Sequence, residues 1–197
     1  MNIVSFILFN IPLIFSPGPN NIMCLSSGVN FGYKNTLPHI LGISLGYPLM
    51  ILIVSLGFGI LITKYSQISF ILKYLGGAYL FYLAWKIANS APLKNVSFSQ
   101  KKVKPLSFWQ ALIFQWVNPK AWAIIINILA MFTSPKVSYF YQISLILIIS
   151  ILMTFISTSI WALFGMTLNK LLTNKRYNRM FNIFMAFLII VSFFMTI

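Results

Sequence analysis

The chain has 197 residues, 59% of them hydrophobic, a formal charge of +14, and neither aspartate nor glutamate. Only 7% of its residues are charged, whereas a soluble domain carries about a quarter. With a mean hydropathy of +0.90, the composition excludes a water-soluble domain and predicts an all-α integral membrane protein with the lipid bilayer as its solvent. The missing carboxylates also exclude carboxylate metal sites, acid–base pairs and proton relays. No catalytic residue, metal or cofactor is therefore expected. A single cysteine, Cys24, excludes an internal disulfide and a cysteine metal cluster. The basic residues sit in short connectors, as membrane topology requires, and not on one polar face of the kind that binds nucleic acid.

The N-terminus, Met-Asn-Ile-Val-Ser, lacks a basic region, and no small-residue cleavage site follows the first apolar run. No cleavable signal peptide is expected. A membrane span needs about 20 apolar residues, and the pattern predicts six, at 3–25, 39–62, 68–88, 108–132, 139–164 and 180–197. The first is interrupted at its centre by Ser16-Pro-Gly-Pro-Asn-Asn21. Gly28 and Gly32 near its end are expected to shape the turn that carries Lys34. His39, at the start of the second span, is the one side chain with an unperturbed pKa near neutrality and is a candidate proton carrier. Gly42 and Gly46 form a small-xxx-small pair suited to close helix packing or gating, with Tyr47 beside them. Cys24 reads as a small packing residue. Lys73, in the third span, is expected to snorkel to the interface.

The longest connector, 89–107, is basic and divides the chain into a first unit, 1–88, and a second, 108–197. Lys34, Lys86, Lys94, Lys101, Lys102, Lys104, Lys170, Lys175, Arg176 and Arg179 fall on one side of the predicted membrane. Only Lys64, Lys73 and Lys136 fall on the other. This bias puts the long connector in the cytoplasm and both termini outside.

The fourth span has its own interruption, Gln115-Trp-Val-Asn-Pro-Lys-Ala-Trp122. Gly18-Pro19-Asn20 matches Asn118-Pro119-Lys120. In each, a residue acceptable as a helix N-cap precedes a proline suited to the first helical position, so each motif begins a new helix inside a span. Two units of three spans are inverted relative to each other, with broken helices 1 and 4 whose new N-termini meet near the bilayer centre. Helix N-termini offer unpaired N–H groups and partial positive charge, which suit a small anionic group. This is the usual layout of secondary transporters. Pro17, Gly18, Pro19, Asn20, Asn21, Gln115, Asn118, Pro119 and Lys120 are the candidate substrate-binding residues. Lys120, a cation deep in a span, would hold a substrate carboxylate. Tyr47, Trp116, Trp122 and Trp161 could meet an ammonium by cation–π attraction.

The run Ser16-Pro-Gly-Pro-Asn-Asn-Ile22, Gly28, Gly32, Gly42-Ile-Ser-Leu-Gly46, Leu75–Lys86 and Asn118-Pro-Lys-Ala-Trp122 resembles the lysine exporter (LysE/RhtB) family of amino-acid exporters over essentially the whole chain. Within that family, these stretches look nearest to the cysteine and O-acetylserine branch. The resemblance implies a six-span exporter of a small amino acid in the bacterial inner membrane, driven by an ion gradient, with H+ the expected ion. A homo-oligomer is compatible with it. Where many members carry an acidic residue after the second glycine of span 2, this chain has Tyr47. That departure argues against carboxylate-based coupling and against cationic substrates, and favours neutral ones. The competing reading is a non-transporting structural or assembly subunit. The orientation predicts that a cysteine placed within 89–107, in a Cys24→Ser background, resists an impermeant maleimide in intact cells. Labelling from outside would overturn it.

Overall fold

The computed structural model describes residues 2–58, 66–89, 105–134, 137–169 and 174–194. Lys64, Lys94, Lys101, Lys102, Lys104, Lys136, Lys170 and most of the connector 89–107 lie outside these, as do the last residues expected in spans 2 and 6. Among the described residues the secondary structure is helical, without strands. Helix α1 runs Ile3–Phe15 and α2 runs Pro19–Ile53, followed by a wider turn, Val54–Phe58. Then come α3 (Ser66–Ala88), α4 (Phe108–Phe114) with a tight 3₁₀ turn at Gln115–Val117, α5 (Pro119–Phe132), α6 (Tyr139–Asn169) and α7 (Lys175–Phe194).

Two helical units are long and apolar enough to cross a membrane, Pro19–Gly57 and Tyr139–Asn169. The pair Phe108–Val117 and Pro119–Phe132 qualifies together, bent by 68° at Asn118. The expected loop between spans 1 and 2 is corrected. Lys34 and Pro38 lie inside α2, and the backbone leaves helical geometry only at Gly32, with φ 75° and ψ 167°, a region open essentially to glycine. Asn20 and Tyr47 line one cavity, although 27 residues of straight helix would separate them by about 40 Å. The two limbs of α2 therefore fold back on each other at Gly32.

Gly28 is also corrected. It does not shape the turn: a Cβ there would lie 2.0 Å from the Ala162 carbonyl oxygen of α6, and one on Gly165 would lie 2.1 Å from that of Leu25. These glycines let the first limb of α2 and α6 approach backbone to backbone. On the second limb, Gly42 faces the Phe108 carbonyl and Gly46 faces Leu112, both within 3 Å of where a Cβ would stand. That places the second limb against α4. Helices have no hydrophobic drive toward one another in lipid, so such close approach is their main source of attraction.

Helix α6 is polar on its inner face and apolar on its outer face. Along α6, Ser150, Thr154, Ser157 and Thr158 are buried, while Ile148, Leu152, Ile156 and Ile160 are exposed. α3 packs on α7 through Leu80, Leu83, Ala84, Met185 and Ile189. Buried Asn30 and Asn182 exchange amide hydrogen bonds of 2.9 and 3.3 Å, and Asn178 accepts from Asn182 at 3.1 Å, tying α7 to the first limb of α2. Gly28→Ala is expected to destabilise the protein by about 1–3 kcal/mol through overpacking. Leu45→Ala, at an outward-facing position, should leave the thermal midpoint in detergent within error. Equal effects would contradict the glycine contact.

Candidate functional site

The site begins with a backbone problem. α1 ends at Phe15 and α2 begins at Pro19, so the last carbonyls of α1 have no intrahelical partners and lie within an apolar bundle. Each one is met. The Ser16 N–H donates to the Pro12 carbonyl at 3.1 Å, and the Ser16 hydroxyl to that of Leu13 at 3.1 Å. Ile14 accepts from Asn21 Nδ2 at 2.7 Å and from Ser157 Oγ at 3.1 Å. Phe15 accepts from the Trp161 indole at 3.1 Å. The Ser16 carbonyl accepts from Asn21 Nδ2 at 2.9 Å and from Lys120 Nζ at 3.1 Å. Lys120 Nζ also donates to Ser16 Oγ at 2.8 Å and to the Pro17 carbonyl at 3.2 Å. Three acceptors match the three protons of an ammonium.

The second break has the same construction. Asn118 is the N-cap of α5, its Oδ1 accepting from the Lys120 N–H at 3.2 Å, and Pro119 opens the helix. Gly18 is the N-cap of α2, with Pro19 opening that helix, but it supplies no side-chain cap. The two N-termini thus differ. The Asn118 carbonyl further accepts from the Ala121 and Trp122 N–H groups at 3.1 and 3.3 Å, so the start of α5 is largely closed by its own cap. At the start of α2 the Gly18 carbonyl likewise accepts from the Ile22 N–H, at 2.9 Å, but no side chain caps the turn. Gly18 has no Cβ because Lys120 crosses it: a Cβ there would stand 2.8 Å from Lys120 Cδ and 2.9 Å from Nζ. Asn20 and Gln115 join the breaks directly by a reciprocal amide pair of 2.9 and 3.2 Å, and Gln115 Nε2 also donates to the Ala111 carbonyl.

A cavity with about 420 Å³ of empty space, part of it open to the surroundings, lies at this junction. Gly18, Pro19, Asn20, Asn21, Asn118 and Lys120 line it, together with Tyr47 from the second limb of α2. Of the other sequence candidates, Pro17 is exposed and contributes its carbonyl to Lys120. Gln115 is fully buried behind Asn20, and Pro119 sits behind the cap. Gly42 and Gly46 are at the α4 contact and away from the cavity wall. His39 lines a different cavity.

Several of the candidate side chains are already engaged within the chain. Lys120 does not stand open to a ligand, since its ammonium holds the carbonyls of the first break. Asn21 is likewise bonded to Ile14 and Ser16. Trp161 and Trp122 donate their indole N–H groups to the carbonyls of Phe15 and Trp116. The sequence reading missed Thr154 and Thr158, which line the cavity from α6. Their signal was present as hydroxyl residues spaced on one face of an otherwise apolar span. Each hydroxyl donates to the carbonyl four residues earlier, at 2.6 Å, so the lone pairs are what it can turn to a ligand. Tyr47 is 3% exposed, and its hydroxyl has no hydrogen-bond partner among the described residues.

The LysE type translocator family model matches residues 11–195. The chain is 32% identical over 190 residues to a "Cysteine/O-acetylserine efflux protein" of Escherichia coli O139:H28, covering 94% of this chain and 92% of the relative. It is 31% identical, with the same coverage, to proteins of that name from Escherichia coli K12 and Shigella flexneri serotype 5b. No solved structure gives a significant match. The family match spans both breaks and nearly every described helix, and the chain belongs to the LysE type translocator family.

Proposed function

We propose that this chain is a secondary-active exporter of small neutral amino acids or their derivatives, cysteine- or O-acetylserine-like or homoserine- or threonine-like. We propose further that it binds them in the cavity between the two breaks. The observation that carries this reading is the chemistry of that cavity, which brings together a helix N-terminus without a side-chain cap, a lysine, and threonine and tyrosine hydroxyls. The names of the relatives favour the same substrate class.

An amino acid presents a carboxylate and an ammonium. The carboxylate suits the start of α2, where backbone N–H groups and the helix dipole favour negative charge, with Lys120 beside it. The ammonium suits the lone pairs of Thr154 and Thr158 and the hydroxyl of Tyr47. A second positive charge on the substrate would meet no carboxylate, which disfavours lysine and arginine as cargo. A bound carboxylate also competes with Ser16 and Pro17 for Lys120, and a charge-assisted bond is the stronger kind. Drawing Lys120 away uncaps α1, so substrate binding and rearrangement of the break share one side chain. Such a differential interaction is what lets a ligand shift a conformational equilibrium.

The architecture proposed for this work is six spans in two inverted units, 1–88 and 108–197, rocking about the cavity with both termini outside and H+ as the coupling ion. Three features support the inverted pairing of the two units. Both breaks share the order N-cap then proline. α3 and α7, the third elements of their units, pack together. The contact of α1 with α6 has its counterpart, with the units exchanged, in that of α4 with the second limb of α2.

Proteoliposomes preloaded with labelled amino acids provide the test. An imposed proton gradient should accelerate loss of cysteine, O-acetylserine or another neutral amino acid, and not of lysine. No loss from verified folded protein would overturn the exporter reading in favour of an assembly subunit. Lys120→Ala should lower the rate by about 10- to 100-fold, the loss expected for a charge-assisted bond worth roughly 1.5–3 kcal/mol. Pro19→Leu and Pro119→Leu should abolish efflux. All three should still insert, as judged by membrane fractionation.

A further inference from the structure

A second cavity, with about 340 Å³ of empty space, lies between the two limbs of α2, α3 and the residues leading into α4. Ser26 and Ser27 of the first limb, His39 of the second, and Lys86 of α3 reach it, over an apolar floor that includes Met23 and Leu106. His39 is 1% exposed, and neither ring nitrogen has a hydrogen-bond partner among the described residues. Burying an imidazole with both nitrogens unbonded is unfavourable, so a polar group admitted beside His39 would be held there. What surrounds that space is a lysine, an imidazole and hydroxyls, without a carboxylate anywhere in the chain. This set recognises a small anion, and the apolar floor suits an anion with a short carbon chain.

The two cavities lie in series. His39, Ile43 and Tyr47 occupy one face of the second limb at successive turns, and Ile43 and Tyr47 line the central cavity. Each turn advances about 6 Å. On the first limb, Met23 and Ser27 follow Asn20 on one helical face, three and seven residues on. The two cavities enclose similar empty space, about 420 and 340 Å³.

We propose that the His39 cavity is a second binding site for small amino acids, held through their carboxylate by His39 and Lys86, on the route to the central cavity. The identity of the ligand rests on the exporter reading; the existence of a carboxylate site does not. Equilibrium dialysis of labelled O-acetyl-L-serine against the full chain in lipid nanodiscs tests it. Two molecules should bind per wild-type chain. His39→Leu removes no hydrogen bond among the described residues and should weaken one of the two at least tenfold. Ser27→Leu, which fills the cavity, should do the same. A single bound molecule in the wild type, unchanged by either substitution, would mean the cavity holds only water and would overturn the inference. Two molecules that persist in both variants would overturn it as well. A chain that exports with one molecule bound loses this inference and keeps the exporter reading. A chain that binds two and moves none of the amino acids keeps the inference and loses the exporter. A chain that binds none loses this inference, and the efflux assay then decides the exporter reading on its own.

Discussion

A helix that stops inside an apolar bundle must hand its terminal carbonyls to other groups, because each one left unpaired in hydrocarbon costs several kcal/mol. The end of α1 is the constraint on which the rest of this molecule depends. Six consecutive carbonyls, Pro12 to Pro17, are satisfied there, and the donors come from four places: Ser16 itself, Asn21 of α2, Lys120 of α5, and Ser157 and Trp161 of α6. Meeting the break therefore draws α2, α5 and α6 to one point. Lys120 gains partners for its charge without any carboxylate, by taking the negative end of a helix dipole as its counter-group.

The close approach of helices follows from the same economy of atoms. Lipid tails are as apolar as leucine, so apolar side chains alone give the helices little reason to associate. Gly28 and Gly165 remove the Cβ atoms that would hold the first limb of α2 away from α6. Gly42 and Gly46 do so between the second limb and α4. Two reciprocal amide pairs, Asn20–Gln115 and Asn30–Asn182, then fix which helices meet. Buried amides are costly unless fully paired, so these pairs specify alignment more than they add stability.

The resulting cavity has an uneven character. Its lining combines the start of α2 and a lysine with the lone pairs of Thr154 and Thr158, whose protons are spent on helix carbonyls, and with the Tyr47 hydroxyl. The two breaks are also unequal, since the Asn118 side chain caps its own helix and Gly18 has none to offer. In the proposed exporter, the lysine that would meet a substrate carboxylate also holds the first break together, so recognition and structural change would share one side chain.

Composition alone was enough to specify a lipid-embedded helical protein: zero carboxylates and 59% hydrophobic residues leave no water-soluble surface. The two proline motifs located both breaks and their helix starts, because N-caps and first-turn prolines are local chemistry that needs no knowledge of the partner helix. The motifs also carried the family. What the sequence could not express was which donor answers which acceptor. Asn21 and Lys120 read as free ligands because their partners, the carbonyls of α1, are backbone groups present at every position. Thr154 and Thr158 were overlooked because their value depends on which face of α6 turns toward α2. Gly28 and Gly32 looked alike, yet one is a helix contact and the other a reversal. Only the tertiary structure decided these matters, because hydrogen-bond partners and the absence of room for a Cβ are relations between segments distant in the chain.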